Sequence, residues 1–305
     1  MVLHASTLFF MSDTSKDAPS RRQFLTRSGA VVAGVAAGGA AFAAPSSAAA
    51  TTQTTLRFDG TVVLITGATS GIGEATARAF ADEGASVFFC GRREDLGAEV
   101  EASIRDSGGE ATYMQADVRE EAQMEAFVSA CVDTYGAVDV AFNNAGIEGP
   151  NGGYDDIAME GEMGYHDLMR TNVDGVLYAM RHEIPVMVEQ GTGVIINTGS
   201  VLTSRGSSSW GAYAASKHAV HGLSRSAAQR HAGDGLRILT LSPGATETDL
   251  LRRFYGGSLE GAGENHPMGR LAQPEDIAAM VLHLSSEGAN FVSGANIEVD
   301  GTSTA

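Results

Sequence analysis

From residue 51 onward, short apolar runs alternate with longer stretches in which apolar side chains recur every three or four positions. The short runs are typical of buried strands, and the longer periodic stretches are typical of amphipathic helices. Their alternation predicts a doubly wound α/β fold, in which a parallel sheet of seven strands carries helices on both faces. Strands are predicted at residues 62–66, 86–90, 111–115, 138–142, 194–198, 237–242 and 296–299, and helices at residues 74–83, 120–135, 164–188, 212–231 and 274–285.

The first fifty residues do not follow this pattern. A twin-arginine motif, Ser-Arg-Arg-Gln-Phe-Leu at residues 20–25, precedes a weakly apolar run rich in alanine and glycine at residues 29–44. Small residues at 41–43 and 48–50 offer cleavage sites. We therefore expect residues 1–50 to be a Tat export signal and linker, and residues 51–305 to be one domain. A disordered extension on a cytoplasmic enzyme is the alternative.

Composition limits the partners of the domain. The whole chain carries a net charge of −17 at pH 7, which repels nucleic acid and anionic membranes at long range. We expect neither as a partner, and expect no membrane association after signal removal. The two cysteines, Cys90 and Cys131, fall in predicted elements and read as small apolar core residues. The histidines show no metal-ligand spacing, so no metal site is expected.

A glycine-rich turn follows the first predicted strand. Residues 66–73 read Thr-Gly-Ala-Thr-Ser-Gly-Ile-Gly and lead into a helical stretch. The free N–H groups and the dipole of a helix N-terminus favour an anion, and a dinucleotide pyrophosphate fits that description. The glycine spacing differs from the Gly-x-Gly-x-x-Gly fingerprint. A turn that binds no ligand is the alternative.

A tyrosine and a lysine share one face of a later predicted helix. Tyr213 and Lys217 are four residues apart, and Lys217 is the last lysine in a chain whose other lysine is Lys16. A phenol ordinarily titrates near ~10, and a neighbouring cation favours its phenolate. We expect Lys217 to lower the pKa of Tyr213 and so prepare it for proton transfer. Alternatively, Tyr213 is a core aromatic and Lys217 a surface charge.

Further motifs occur in a fixed order along the chain. They are Asp-Val at 117–118, Asn-Asn-Ala-Gly at 143–146, Asn-Val-Asp-Gly at 172–175, Pro-Gly at 243–244 and Val-Asp-Gly at 299–301. Together with the glycine turn and the Tyr-x-x-x-Lys pair, they resemble the short-chain dehydrogenase/reductase family from about residue 59 to residue 301. Two departures are Gly199, where a small hydroxyl residue is common, and Thr302, where a second glycine is common.

The resemblance implies a Rossmann fold with strand order 3-2-1-4-5-6-7 and a homotetramer. It implies that Tyr213 is the acid and base, that Ser200 positions the substrate oxygen, that Lys217 also bonds the nicotinamide ribose, and that Asn172 holds a water linking Lys217 to solvent. The implied cofactor-binding residues are Gly67, Ser70, Gly71, Ile72, Gly73, Arg92, Asp117, Val118, Asn144, Ala145, Gly146, Tyr213, Lys217, Pro243, Gly244, Thr246 and Thr248.

The end of the second predicted strand bears on cofactor choice. An acidic side chain there usually bonds the ribose 2′-hydroxyl of NAD, whereas an arginine accommodates a 2′-phosphate. This chain has Gly91 followed by Arg92. NADP(H) is therefore favoured and NAD(H) is possible. The alternative is that Arg92 and Arg93 are surface charges paired with Glu94 and Asp95.

The resemblance implies that the substrate is a secondary alcohol or ketone of moderate size. The implied pocket draws on a segment at 246–268, expected to be mobile, and on Ile147, Glu148, Val201, Leu202 and Trp210. This lining does not choose among a sugar, a steroid, a β-ketoacyl thioester and a cyclic alcohol. Two other functions stay open: sugar-nucleotide epimerisation or dehydration on the same fold, and a sensor or scaffold that binds NADP without catalysis.

Overall fold

The computed structural model describes residues 56–264 and 266–305. In this part of the chain, seven strands form one parallel sheet in the order β3-β2-β1-β4-β5-β6-β7, which confirms the predicted doubly wound fold and strand order. The strands are β1 Val62–Thr66, β2 Ser86–Gly91, β3 Glu110–Gln115, β4 Val140–Asn143, β5 Gly193–Thr198, β6 Leu236–Pro243 and β7 Asn296–Val299.

Strand β4 begins two residues later than the predicted range. The backbone of Val138 exchanges two hydrogen bonds with the side chain of Gln190, which accepts from its N–H at 2.9 Å and donates to its carbonyl at 2.9 Å. An amide side chain on a helix thus replaces a strand partner at this position, so the ladder starts only beyond it.

Eight α-helices connect the strands within the described residues. They are α1 Gly71–Asp82, α2 Glu94–Asp106, α3 Glu121–Tyr135, α4 Tyr165–Met169, α5 Gly175–Gln190, α6 Gly211–His231, α7 Asp249–Phe254 and α8 Pro274–Ser285. The helix predicted at 164–188 is interrupted by a π-helical segment, Arg170–Asp174, between α4 and α5. Helices α2 and α7 lie outside the ranges that the sequence pattern predicted.

The core lies on both faces of the sheet because successive strand side chains point to opposite sides. On one face, Ile65 and Phe89 pack with Phe80 of α1 and with α8. On the other face, Leu64 and Ile195 pack with the helices that include α3 and α5. Burial on both faces leaves the carboxyl edge of the strands as the place where polar side chains and loops meet.

The described residues belong to one compact unit. The Tat signal predicted at residues 1–50 lies outside the described residues. Among the described helices, none is both long and apolar enough to span a membrane. Within residues 56–264 and 266–305, no cluster of three or more His, Cys, Asp or Glu side chains could hold a metal ion.

Candidate active site

The glycine turn between β1 and α1 is shaped to admit a ligand close to the backbone. Gly67 and Gly71 have φ angles of +71° and +59°, which side chains disfavour. A Cβ on Gly73 would stand 2.5 Å from the Gly67 carbonyl oxygen and 2.6 Å from Asn144 Nδ2. No side-chain bond caps the N-terminus of α1 at Ser70, so the first N–H groups of the helix are available. These features fit a dinucleotide pyrophosphate.

The Asn-Asn-Ala-Gly motif after β4 holds this turn in place through hydrogen bonds. The backbone N–H groups of Asn144 and Ala145 donate to Thr66 Oγ1 at 3.1 and 3.2 Å. The Asn144 side chain donates to the Gly67 carbonyl at 3.1 Å. The conformation of the turn is therefore fixed by the neighbouring strand, which keeps its amides in place for a ligand.

A cavity of about 840 Å³ extends from this turn along the carboxyl edge of the sheet. Tyr213 and Ser200 line it, and both are nearly buried, with 8% of each exposed. Ser200 is held in place because its N–H donates to Thr203 Oγ1 at 2.8 Å and its hydroxyl accepts from the Leu202 N–H at 3.2 Å. A serine and a tyrosine thus face one volume that has the size of a ligand site.

Burial is the largest influence on the pKa of Tyr213. It raises the pKa of Tyr213 to about 12; the Ser200 side chain acts against this rise, and the negative charge of Glu148 adds to it. Lys217 Nζ lies 5.5 Å from the centre of the Tyr213 ring. The expected lowering of the Tyr213 pKa is therefore wrong for this structure, because desolvation of the phenolate prevails over the nearby lysine.

Lys217 is a buried ammonium with a backbone partner. Its Nζ donates to the Thr198 carbonyl at the end of β5 at 2.9 Å. Burial lowers the pKa of Lys217 to about 8. The alternative of a solvated surface lysine is excluded, since 3% of the residue is exposed.

Asn172 lies in the π-helical segment behind this pair. Its Oδ1 accepts from the Ile147 N–H at 2.9 Å, and its Nδ2 donates to the Ile147 carbonyl at 2.9 Å and to Ser216 Oγ at 3.1 Å. These bonds join the loop after β4 to α6 next to Lys217. The water-binding role of Asn172 stays a prediction, and the structure shows a residue that positions two site elements.

The chain is similar to known proteins over most of its length. Residues 67–304 match a family model described as enoyl-(acyl carrier protein) reductase. The chain is 37% identical to a cyclohexanol dehydrogenase of Acinetobacter sp. over 81% of its length and 96% of that protein, and 38% identical to a secoisolariciresinol dehydrogenase of Forsythia intermedia over 82% and 91%. A short-chain type dehydrogenase/reductase of Mycobacterium marinum superposes with a TM-score of 0.76 at 30% identity, over 82% of this chain and 98% of that one.

The chain belongs to the short-chain dehydrogenase/reductase family. It is an NAD(P)-dependent oxidoreductase that interconverts a secondary alcohol and a ketone by hydride transfer.

Most predicted site residues of this dehydrogenase/reductase line the cavity. Three do not: Gly73, Asn172 and Glu148, of which Glu148 is buried with 3% exposed. The predicted residues that line the cavity are Gly67, Ser70, Gly71, Ile72, Arg92, Asp117, Val118, Asn144, Ala145, Gly146, Ile147, Ser200, Val201, Leu202, Trp210, Tyr213, Lys217, Pro243, Gly244, Thr246 and Thr248.

The cofactor end of the cavity holds Arg93 as well as the predicted Arg92. Arg93 donates to Thr69 Oγ1 at 2.9 Å and to Ser70 Oγ at 2.5 Å, and Arg92 lines the cavity beside it. Among the described residues, neither arginine forms an ion pair with Glu94 or Asp95. Two guanidinium groups therefore stand at this end of the cavity in place of an acid.

Asp117, one of the predicted cofactor-binding residues, forms hydrogen bonds to other residues of the chain. Its carboxylate accepts from Arg119 Nε at 3.0 Å, and Arg119 Nη1 also donates to Asp167 at 2.6 Å. The Arg119 hydrogen bonds help to hold the pKa of Asp117 below its ordinary value against the opposing effect of burial, which is the largest single influence. The Asp117 carboxylate is thus positioned by Arg119 from the neighbouring loop.

The substrate end is closed by helix α7, which the sequence treated only as part of a mobile segment. The Phe254 ring packs on Trp210 with 4.0 Å between ring centres and meets Tyr213 edge to face at 5.3 Å. Glu148, expected as a free acid in the lining, instead forms an ion pair with Arg253. The wall next to the phenol is therefore aromatic and apolar, and the nearby Glu148 carboxylate is neutralised by Arg253.

Gly199 departs from the family pattern for a packing reason. A Cβ on Gly199 would stand 2.6 Å from Thr203 Oγ1 and would also press on Ser242 Oγ. The Ser242 hydroxyl occupies this place and donates to Asn296 Oδ1 at 2.6 Å. A hydroxyl from strand β6 therefore occupies the space beside Gly199.

Proposed function

We propose that this enzyme acts on a neutral cyclic secondary alcohol and its ketone, with Tyr213 as acid and base. The observation that carries the substrate class is the wall made by Trp210 and Phe254 directly against Tyr213. A flat or puckered ring buries its carbon atoms against such a wall while its oxygen reaches the phenol. The similarity to a cyclohexanol dehydrogenase supports the same class.

The bound nicotinamide would supply or accept the hydride. In ketone reduction, Tyr213 donates the proton from Oη to the carbonyl oxygen as negative charge develops there; in alcohol oxidation it accepts that proton. Ser200 donates a hydrogen bond that orients the substrate oxygen. Lys217 supplies positive charge near the phenol, and Asn172 fixes the loop and helix that carry these groups. Such proton transfer contributes roughly 10²–10⁴ in rate.

We propose NADP(H) as the preferred cofactor. Arg92 and Arg93 at one end of the cavity support this preference, because an arginine after the second strand accommodates a 2′-phosphate, and Gly91 supplies no acid for a ribose hydroxyl. A Cβ on Gly91 would stand 2.6 Å from Thr69 Cγ2, so an acid is not accommodated without movement of Thr69. Replacing both Arg92 and Arg93 by Ser should lower kcat/KM for NADP about a hundredfold or more and leave that for NAD within a few fold. A native preference for NAD would refute the proposal.

A substrate panel tests the alcohol proposal. Cyclohexanol and cyclohexanone, an acyclic alcohol, a sugar, a carboxylated cyclohexanol, a β-ketoacyl thioester and an enoyl thioester are each incubated with both cofactors. Reduced-cofactor absorbance is followed. We expect the neutral ring compounds to have the highest kcat/KM. Preference for the enoyl thioester would favour the activity in the family model's description, and binding of NADP without any turnover would favour a sensor.

We also propose a homotetramer and export by the Tat route. Exposed Leu177 and Val188 on α5 support a subunit contact on that helix, and sedimentation equilibrium tests it; a monomer would refute it.

The twin-arginine motif supports export by the Tat route. Fractionation of cells that express the native chain or an Arg21→Lys/Arg22→Lys variant tests it, and equal retention of both chains in the cytoplasm would refute it.

A further inference from the structure

An ion pair next to the proposed acid and base has no assigned role. Glu148 follows the Asn-Asn-Ala-Gly motif and is buried, and both of its carboxylate oxygens accept from Arg253, with Nη2 at 3.0 Å and Nε closer still. Arg253 belongs to α7, whose next residue, Phe254, meets the Tyr213 ring. A bidentate pair between a buried carboxylate on the loop and a half-exposed guanidinium on α7 has a specific geometry.

The pair stands within the electrostatic reach of the phenol. Ile147, adjacent to Glu148, belongs to the same buried apolar cluster as Tyr213, and Phe254, adjacent to Arg253, packs on that cluster. Glu148 is buried, so few water molecules screen its charge, whereas the Arg253 side chain is 53% exposed and acts through its direct contact with Glu148. The Glu148 charge disfavours the Tyr213 phenolate, and the Arg253 charge opposes that effect.

We propose that Arg253 is a positioning residue that neutralises Glu148 and thereby keeps Tyr213 able to ionise. The role attributed to Tyr213 rests on the proposed function. Arg253 makes α7 part of the proton-transfer machinery, because its charge reaches Glu148 only when this helix lies against the loop after β4. The pair sets the acidity of the phenol, which is distinct from lining the pocket.

Other charges around the phenol do not replace Arg253. The charged and titratable groups near it are Lys217 on α6, Glu148 after β4, Asp249, Arg253 and Tyr255 at α7, Tyr154 and Glu162 before α4, and Tyr165 at the start of α4. Lys217 has a pKa lowered to about 8 by burial, so its charge declines in the alkaline range where a phenol titrates. The hydrogen bond to Glu148 raises the pKa of Arg253, so this guanidinium keeps its charge throughout that range.

The test is the direct titration of Tyr213 in the protein without cofactor or substrate. Tyrosine labelled with carbon-13 at Cζ gives one signal per phenol, and the Tyr213 signal is the one lost in Tyr213→Phe. The variants are Arg253→Met, Glu148→Gln and the double variant. Arg252→Met is the matched control, since Arg252 is on the same helix and pairs with exposed Glu247 at 3.1 Å. Circular dichroism at each pH monitors folding.

Opposite shifts are expected from the two single variants. With a pKa of about 12, the native phenol is about one-tenth ionised at about pH 11. If the pKa of Tyr213 rises by about one unit in Arg253→Met, the ionised fraction at this pH falls to about one-hundredth. If it falls by about one unit in Glu148→Gln, the ionised fraction rises to about one-half. The double variant and Arg252→Met should stay within about twofold of the native fraction, because neither leaves a net charge beside Tyr213.

Several results would overturn the proposal. They are an unchanged phenol in Glu148→Gln, shifts in the same direction in both single variants, or an equal shift in Arg252→Met; a merely structural ion pair would give the second pattern. If Arg253→Met does not fold, Glu148→Gln and the double variant still decide. The titration needs no turnover. A failure of the substrate panel would therefore refute the proposed function, whereas the titration would still test the role of Arg253.

Discussion

A buried carboxyl group near the cofactor site makes stability depend on pH. Glu183 of α5 is fully buried, and its Oε2 accepts from Asn143 Nδ2 at 3.0 Å. The same Nδ2 donates to Asn197 Oδ1 at 2.9 Å. Among the described residues, Glu183 Oε1 and Asn143 Oδ1 have no hydrogen-bond partner. A proton on Oε1 supplies a donor within this acceptor-rich group, so the neutral acid fits better than the carboxylate.

The magnitude follows from the pKa. Burial raises the pKa of Glu183 from 4.5 to about 7. Between these values the native state holds a proton that the unfolded state has released, so stability falls as pH rises through this window. Since one pKa unit corresponds to about 1.4 kcal/mol, the full loss above the window is about 3 kcal/mol. Below pH 4.5 both states are protonated, and this loss is absent.

Glu183→Gln removes the ionisation while keeping the shape of the side chain. Its free energy of unfolding should match that of the native protein near pH 4.5 and exceed it by about 3 kcal/mol above pH 7. Urea unfolding at fixed protein concentration measures this, with Glu189→Gln on the exposed part of α5 as control. An equal difference at both pH values, or a native protein that is as stable above pH 7 as Glu183→Gln, would refute the reasoning.

Three further substitutions probe the turn, the serine loop and the aromatic wall. Gly73→Ala should abolish the binding of reduced cofactor that fluorescence detects, because its Cβ would stand 2.5 Å from the Gly67 carbonyl oxygen. Retained affinity would contradict the role of the glycine turn in binding the cofactor. Gly199→Ser, although common among relatives, should destabilise this chain by about 1–3 kcal/mol in urea unfolding through overpacking against Thr203; a neutral effect would show that the loop adapts. Phe254→Ala should raise KM for cyclohexanol about tenfold with a smaller effect on an acyclic alcohol; equal effects on both would remove the ring-binding role.

Local sequence patterns were sufficient for the sheet and for the proposed catalytic group. The buried strands are short apolar runs between glycine-rich or polar turns, and the Tyr-x-x-x-Lys spacing places both side chains on one face of α6. The order of the motifs along a doubly wound sheet then brings Asn172, Ser200 and Tyr213 to one edge. Such features depend on neighbours that are close in sequence or fixed by topology.

Other features depend on contacts far along the chain. Helix α7 is short, and the partners of Arg253 and Phe254 are Glu148, Trp210 and Tyr213, so its position has no local signal. In the sequence, Glu183 looks like a solvent-facing acid on a helix, because its hydrogen-bond partner Asn143 lies forty residues away along the chain. The raised pKa of Tyr213 likewise depends on burial by surrounding elements, which residue spacing does not reveal.

The most direct test of the account is the oxidation of cyclohexanol with NADP by the native enzyme and by Tyr213→Phe, followed by absorbance of the reduced cofactor. Cofactor affinity is measured in parallel by fluorescence. We expect turnover by the native enzyme, a loss of about 10²-fold or more in kcat for Tyr213→Phe, and cofactor affinity within a few fold. Turnover by Tyr213→Phe near the native rate would contradict the assignment of Tyr213 as the acid and base.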